Sequence, residues 1–488
     1  MLYFITFTIP IITRTFFINI LGISILGVNT LFINIITLLS LSELGIGTAV
    51  GYRLYAAIAN SDKHEIAKWM NFYKKTYRII AAIILIIGLA ITPFIHVFAK
   101  VNLPRMEFYF LLYVASSSVS YLLSYKQVLL NVNQQGYIRL YTHAIYIICL
   151  NLFQIIMLYF FSSFALFIVC QIMFTLLENV VLALTVDKKH TYIQGDNHAA
   201  LNPSEKIDFR KDVFSLMSNR IGLKILSASE SIIISTFVGV NFLGMYSNYM
   251  MIILATTGFV IQITQAISAS VGNLNATESN EKNVKVFFAI LFLVFWVSSL
   301  SILLIAVLMN SFIEIWIGRA YLLPNSVLVL MLVNCYIMVT RNVVVLFKDA
   351  KGLFYRDRYR TLITAAVNIP LSIALSKVCG LAGVILGTTF SMLAVTVWYE
   401  PVILFKHGFF DKSYKYFYHL TRYGLFIIFT CLICFGLFSI MNMHASIITL
   451  IARASIAIIV NIGLVLLFFR NSDEFAYLKN SAKLALAK

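Results

Sequence analysis

The sequence predicts an all-α polytopic membrane protein of about fourteen transmembrane helices, arranged as two pseudo-symmetric six-helix bundles plus two C-terminal helices. Three observations predict it. Hydrophobic residues make up 60% of the 488 residues and charged residues 12%, against about 25% charged in an ordinary soluble domain. The apolar residues come in runs of about 20, the length that crosses a hydrocarbon core about 30 Å thick. Backbone groups in lipid are satisfied within the segment, so solidly apolar runs are helices, whereas barrel strands would alternate in polarity. Finally, Lys and Arg crowd alternate loops, such as Lys63–Arg78, Lys188–Lys211 and Lys348–Arg360, while the other loops hold only Lys100, Arg105, Arg319 and Lys377. The positive-inside rule then puts both termini in the cytoplasm and accounts for most of the net charge of +17. Nucleic-acid binding is therefore not the reading of this basicity.

In chain order, the first run, 1–20, is apolar from Met1 and lacks a basic lead and an A-x-A-like cleavage site, so it reads as a helix and not a cleaved signal. The second, 33–58, ends at the charged loop Ser61–Glu65. Gly45, Gly47 and Gly51 within it serve either close helix approach or bending. Runs at 78–98, 108–132, 138–160 and 164–186 complete a first bundle, 1–186. Residues 187–212 are polar, include Gly195, Asn202 and Pro203, and read as a cytoplasmic linker. A second bundle, 213–404, takes 213–238, 243–271, 284–309, 322–347, 359–376 and 381–404. The remainder, 405–488, adds 422–440, 446–469 and a cytoplasmic tail. Leu26-Gly27-Val28-Asn29 reappears as Leu243-Gly244-Met245-Tyr246, and the loop Ser61–Glu65 as Glu278–Lys282 at nearly the same offset. Six crossings return the chain to its starting side, so the repeat is parallel and implies a central site between the halves.

Some basic residues remain inside predicted helices: Arg14, Arg53, Lys126, Arg220, Lys224, Arg341 and Arg453. The carboxylates at comparable depth are Glu43, Glu178, Glu230 and Glu400. A charge at helix centre costs about 2.5–3.5 kcal/mol on insertion scales, so such residues face a cavity or a partner. An interior with more cations than carboxylates suits an anionic ligand, a phosphate or pyrophosphate above all. Arg220 and Lys224, spaced i, i+4, share one helix face. Helix direction puts Arg53, Lys126, Arg220, Lys224 and Arg341 in the cytoplasmic half and Arg14 and Arg453 in the outer half. Taken singly, the shallow ones can also snorkel to the interface. Other chemistry is thin. Cys431-x-x-Cys434 lies in an apolar run and reads as packing. The histidines form no ligand cluster and there is no Walker-type loop. No catalytic residue, metal or cofactor is assigned, and the chain is not read as an enzyme.

Several motifs carry a family resemblance. Thr13-Arg14-Thr15, Leu26-Gly27 and Leu41-Ser42-Glu43-Leu44-Gly45-Ile46-Gly47 come first, then Gly244-Met245-Tyr246-Ser247-Asn248-Tyr249 and Gly272-Asn273. Trp316-Ile317-Gly318, Phe347–Phe354, Asp357-Arg358, Gly380, Gly383, Gly387-Thr388 and Trp398-Tyr399-Glu400-Pro401 follow. In order and spacing the chain resembles a Wzx-type polysaccharide repeat-unit flippase, of the polysaccharide transporter family in the multidrug/oligosaccharidyl-lipid/polysaccharide flippase superfamily. The resemblance implies transfer of an undecaprenyl-diphosphate-linked oligosaccharide from the inner to the outer leaflet of the bacterial plasma membrane. Alternating access of two bundles in a V would do this, for capsule, exopolysaccharide or O-antigen assembly, with membrane lipid and a polysaccharide polymerase as partners. Arg14, Arg53, Lys126, Arg220, Lys224 and Arg341 are expected to bind the pyrophosphate. Glu43 and Glu230 are the candidates for coupling to a proton or sodium gradient, with a structural ion pair or packing hydrogen bond as the alternative for each. A MurJ-type lipid II flippase and a multidrug and toxin extrusion cation antiporter are the competing readings.

Overall fold

The computed structural model describes residues 2–43, 45–101, 103–193, 201–441 and 446–486. The described residues fold as helices throughout: α1 (Leu2–Leu21), α2 (Ile23–Leu39), α3 (Ile46–Ala59), α4 (Lys63–Ile91), α5 (Ile95–Phe98), α6 (Met106–Ser124), α7 (Gln127–Val132), α8 (Gly136–Phe161), α9 (Phe164–Lys189) and α10 (Pro203–Ile233). They continue with α11 (Val240–Ala266), α12 (Ser268–Thr277), α13 (Asn280–Trp316), α14 (Asn325–Ala350), α15 (Arg360–Ser391), α16 (Val397–Ile403), α17 (Tyr414–Met441), α18 (Ile447–Phe469) and α19 (Asp473–Leu486). Eleven helical stretches of the described residues are long and apolar enough to cross a membrane. One of them, Arg360–Phe409, reverses at Gly380, where φ is +57°. With both of its arms counted, and the shorter apolar helices Thr8–Leu21 and Ile23–Leu39 added, the predicted fourteen are reached. The fold class is the one expected from the sequence.

The hairpin at Gly380 shows how small residues set helix approach. Asn368 donates from Nδ2 to Thr388 Oγ1 at 3.1 Å, and Ser372 donates from Oγ to the Val384 carbonyl at 3.1 Å, so the arms run antiparallel. A Cβ on Gly383 would lie 2.0 Å from the Leu375 carbonyl oxygen, and one on Gly387 would lie 2.3 Å from Ser372 Oγ. Only glycine lets these backbones meet.

Several boundaries differ from expectation, each for a local reason. The expected single helix 33–58 is broken: α2 begins after Gly22 and ends at Leu39, and α3 starts behind Gly45. Gly22 and Gly45 have φ of +87° and +92°, a left-handed conformation open to glycine. The expected helix 108–132 is interrupted at Lys126, between α6 and α7. The helix expected from 213 begins at Pro203, because Asn202 and Glu205 form a reciprocal capping box with proline in the first turn. The end of the chain adds α19, unforeseen in the tail.

The chain packs as two compact units, Met1–Gly244 and Met245–Lys488. In the first, a core of Leu54, Trp69, Met70, Tyr73, Leu129 and Phe209 joins α3, α4, α7 and α10. The same unit holds the crossing of the two repeated glycine motifs. A Cβ on Gly27 would lie 2.1 Å from the Val240 carbonyl oxygen, and one on Gly244 would lie 2.4 Å from the Ile23 carbonyl oxygen. Ser24, 217 positions before Asn241, donates to its Oδ1 at 2.6 Å. Ile23 stands to Val240 as Gly27 stands to Gly244, so repeat-related residues cross symmetrically. In the second unit, α13 gathers α14, α17 and α18, with Phe295 and Tyr423 stacked at 4.0 Å between ring centroids.

Candidate functional site

The break between α2 and α3 builds the site. Residues Ser40–Glu43 form one tight turn, which turns the Glu43 carboxylate toward α4 and α6. Tyr77 donates its hydroxyl to Glu43 Oε1 at 2.6 Å, and Tyr121 donates to Oε2 at 2.6 Å. Tyr73 donates in turn to the Tyr77 hydroxyl oxygen at 2.6 Å. Gly47 makes room for this chain, since a Cβ there would lie 2.8 Å from the Tyr73 hydroxyl oxygen. Both carboxylate oxygens are thus satisfied by phenols, which offsets the cost of holding a carboxylate in an apolar bundle.

Glu43 borders a cavity of about 380 Å³, shared with Thr37, Ser40, Thr48, Tyr121 and Lys224. Lys224 is an exposed side chain on α10. Two residues expected to play separate parts, one for an anion and one for an ion, therefore lie on one cavity. The lining offers an ammonium for an anionic group and hydroxyls for polar substituents.

The remaining candidates are not gathered there. The Arg220 side chain lies outside the described residues; its backbone is one turn before Lys224 on α10. Arg14 is half-buried on α1 and Glu230 half-buried on α10. Lys126 donates to Asp187 Oδ1 of α9 at 2.6 Å. Arg53 lines a different cavity of about 700 Å³ with Asp62, Glu65 and Glu205, its guanidinium carbon 5.9 Å from the centre of the Trp69 ring. The Lys68 ammonium, then the Asn202 N–H, hold the Glu205 carboxyl below the usual carboxylate range.

Arg341 belongs to a charge lattice in the second unit. Its Nε donates to Glu400 Oε2 at 2.5 Å, while Lys348 Nζ reaches Glu400 Oε1 at 2.9 Å and Arg360 Nη2 reaches it at 3.2 Å. Asp357 pairs with Lys348 and, at 2.9 Å, with Arg360 Nε. Arg341 keeps 22% of its side chain exposed, whereas the other four keep 2% or less. By sequence Lys348 and Arg360 are loop charges of the cytoplasmic face; in the structure they are buried ion-pair partners. A usable signal was present: Asp357 sits three residues before Arg360, and Glu400 is the carboxylate of the facing arm.

No family model and no curated protein matches the chain. Solved structures do. The lipid II flippase MurJ in an inward closed conformation is similar with a TM-score of 0.75 and 14% identity, over 96% of this chain and 98% of that one. An inward-facing multidrug resistance MATE family transporter of the MOP superfamily is similar with a TM-score of 0.63 and 14% identity, over 83% and 96%. The MATE multidrug transporter DinF-BH, solved as a complex, gives 0.58 and 15%, over 84% and 94%. At these identities the likeness is one of fold. This chain is a multi-pass membrane protein with the fold that the MurJ flippase and MATE transporters of the MOP superfamily have in common.

Proposed function

We propose that the chain is a flippase that carries an undecaprenyl-diphosphate-linked oligosaccharide from the inner to the outer leaflet of the bacterial plasma membrane, for surface polysaccharide assembly. The cavity shared by Lys224 and Glu43 carries this reading. A diphosphate is held by cations through charge-assisted hydrogen bonds, and Lys224 supplies one beside hydroxyls suited to sugar. The polyprenyl tail stays in lipid, so only the head group needs the polar cavity. No bond is made or broken in this reading, and the chain acts as a transporter, not an enzyme. Both termini are cytoplasmic, Arg220 joins Lys224 in receiving the pyrophosphate, and Glu43 and Glu230 couple the cycle to a proton or sodium gradient. A polysaccharide polymerase is the downstream partner.

The whole-chain likeness to MurJ favours a second reading, lipid II as cargo. A cationic drug is the third, with Glu43 as its receptor. Cells lacking the protein separate them. Polyprenyl-diphosphate-linked oligosaccharide is quantified on each membrane face, alongside surface polymer. The expected outcome is accumulation on the cytoplasmic face and loss of polymer, reversed by wild type. A Lys224→Ala chain restores transport about tenfold or more less well, the size of one charge-assisted contact. Accumulation of lipid II with intact surface polymer selects the second reading. An unchanged lipid-linked pool with altered tolerance to cationic drugs selects the third.

A further inference from the structure

We infer that Lys68 is a positioning residue, which closes a clasp between α4 and the start of α10 and so sets the helix that carries Lys224. The inference rests on the transport reading only for its functional consequence. The clasp itself stands on the geometry of the first unit.

Lys68 lies on the first turns of α4 and is 9% exposed. Its ammonium bridges two carboxylates, Glu205 Oε1 of α10 at 2.7 Å and Glu65 Oε2 of α4 at 3.3 Å. Neither carboxylate is idle on its other oxygen. Glu205 Oε2 accepts the Asn202 backbone N–H at 2.7 Å, and Glu65 Oε1 accepts the Trp69 indole N–H at 2.8 Å. The polar clasp is backed by an apolar plug. Phe209, one turn further along α10, packs on Trp69 and Phe72 with centroids 5.6 and 5.1 Å apart. Leu201 is 5% exposed in the same cluster.

These contacts hold one end of a 31-residue helix. Its other end runs on into the segment Ile234–Val238, where Ser235 donates from Oγ to the Phe98 carbonyl at 2.7 Å. Lys224 lies between the two anchors, about 28 Å from Glu205 at 1.5 Å per residue. A helix fixed at both ends presents Lys224 to the Glu43 cavity at one height and angle. With the clasp open, the first turns of α10 shift against the contacts it keeps with α2 and α3, and the register of Lys224 shifts with them. The chemistry of the clasp suits a reversible joint: one ammonium shared by two half-exposed carboxylates that line the adjoining cavity of about 700 Å³.

Hydrogen–deuterium exchange of the full chain in lipid nanodiscs tests the clasp, and the cytoplasmic-face pool of lipid-linked oligosaccharide in cells tests the positioning. Glu205→Gln keeps the cap on Asn202 and removes the charge; Lys68→Ala removes the bridge; Lys68→Arg retains it. Glu205→Gln and Lys68→Ala are expected to speed exchange of amides 204–213 at least about tenfold, with α8 and α9 unchanged. The pool is expected to rise several-fold in the same two variants, and Lys68→Arg to restore both readouts. Unchanged exchange in Glu205→Gln and Lys68→Ala overturns the clasp. Faster exchange with a normal pool overturns the positioning role. A deletion strain whose pool is also normal sinks the transport reading instead, and faster exchange then supports the clasp on its own.

Discussion

At the scale of single residues, depth in an apolar run was legible and partnership was not. Lys224 and Glu43 stand out in the sequence because each is a charge inside an apolar run. Their meeting on one cavity depends on a tight turn and on tyrosines, Tyr77 and Tyr121, that arrive from 34 and 78 positions away. Lys126 and Arg341 stand out for the same reason, yet Asp187 and Glu400 pair with them from 61 and 59 positions away, a relation that a one-dimensional count of depth does not contain. The lattice around Glu400 yields a prediction. Three cations converge on that one fully buried carboxylate. Glu400→Gln removes its charge and leaves them with Asp357. Breaking a buried ion network by deleting one partner costs about 3–5 kcal/mol. The purified variant should unfold at markedly lower temperature in detergent. Arg341→Gln, at the half-exposed edge, should lose less. An unaltered melting temperature in Glu400→Gln would show that the lattice does not stabilise the second unit.

At the scale of elements, the runs were legible because apolar length is a physical requirement of the bilayer, and the breaks were not. In the sequence Gly45 and Gly47 serve either close helix approach or bending. One supplies a left-handed turn and the other clears room for a tyrosine hydroxyl. Pro203 and the Asn202–Glu205 box announce a helix start in the sequence, but the polar composition of 187–212 suggested a linker and hid it. The glycine crossing was visible only as a faint repeat. Its geometry makes a paired prediction. Alanine at Gly27 or at Gly244 drives a methyl group into the opposing carbonyl oxygen, at 2.1 or 2.4 Å. Overpacking of this kind costs about 1–3 kcal/mol. Because repeat-related residues meet symmetrically, the two variants should lose similar stability in a chemical denaturation series. A loss at one position alone would refute the symmetric crossing.

At the scale of the whole molecule, membrane residence follows from composition. The proposed orientation follows from the uneven Lys and Arg, and it is checked by labelling. In a cysteine-free chain, a cysteine at position 188 or 479 should react with an impermeant maleimide only after cells are opened. One at 105 or 319 should react in intact cells. The reverse pattern would invert the topology, and with it the direction of loading proposed for Lys224. Synthesis order adds a consequence for the lattice. Arg341, Lys348, Asp357 and Arg360 leave the ribosome before Glu400, which arrives 40 residues after Arg360. Until then the growing chain presents three cations to one carboxylate at the mouth of the insertion channel. The second arm of the Gly380 hairpin brings the missing charge, so these helices settle only when that arm is made. A nascent chain stopped before Glu400 lacks the carboxylate on which Arg341, Lys348 and Arg360 converge.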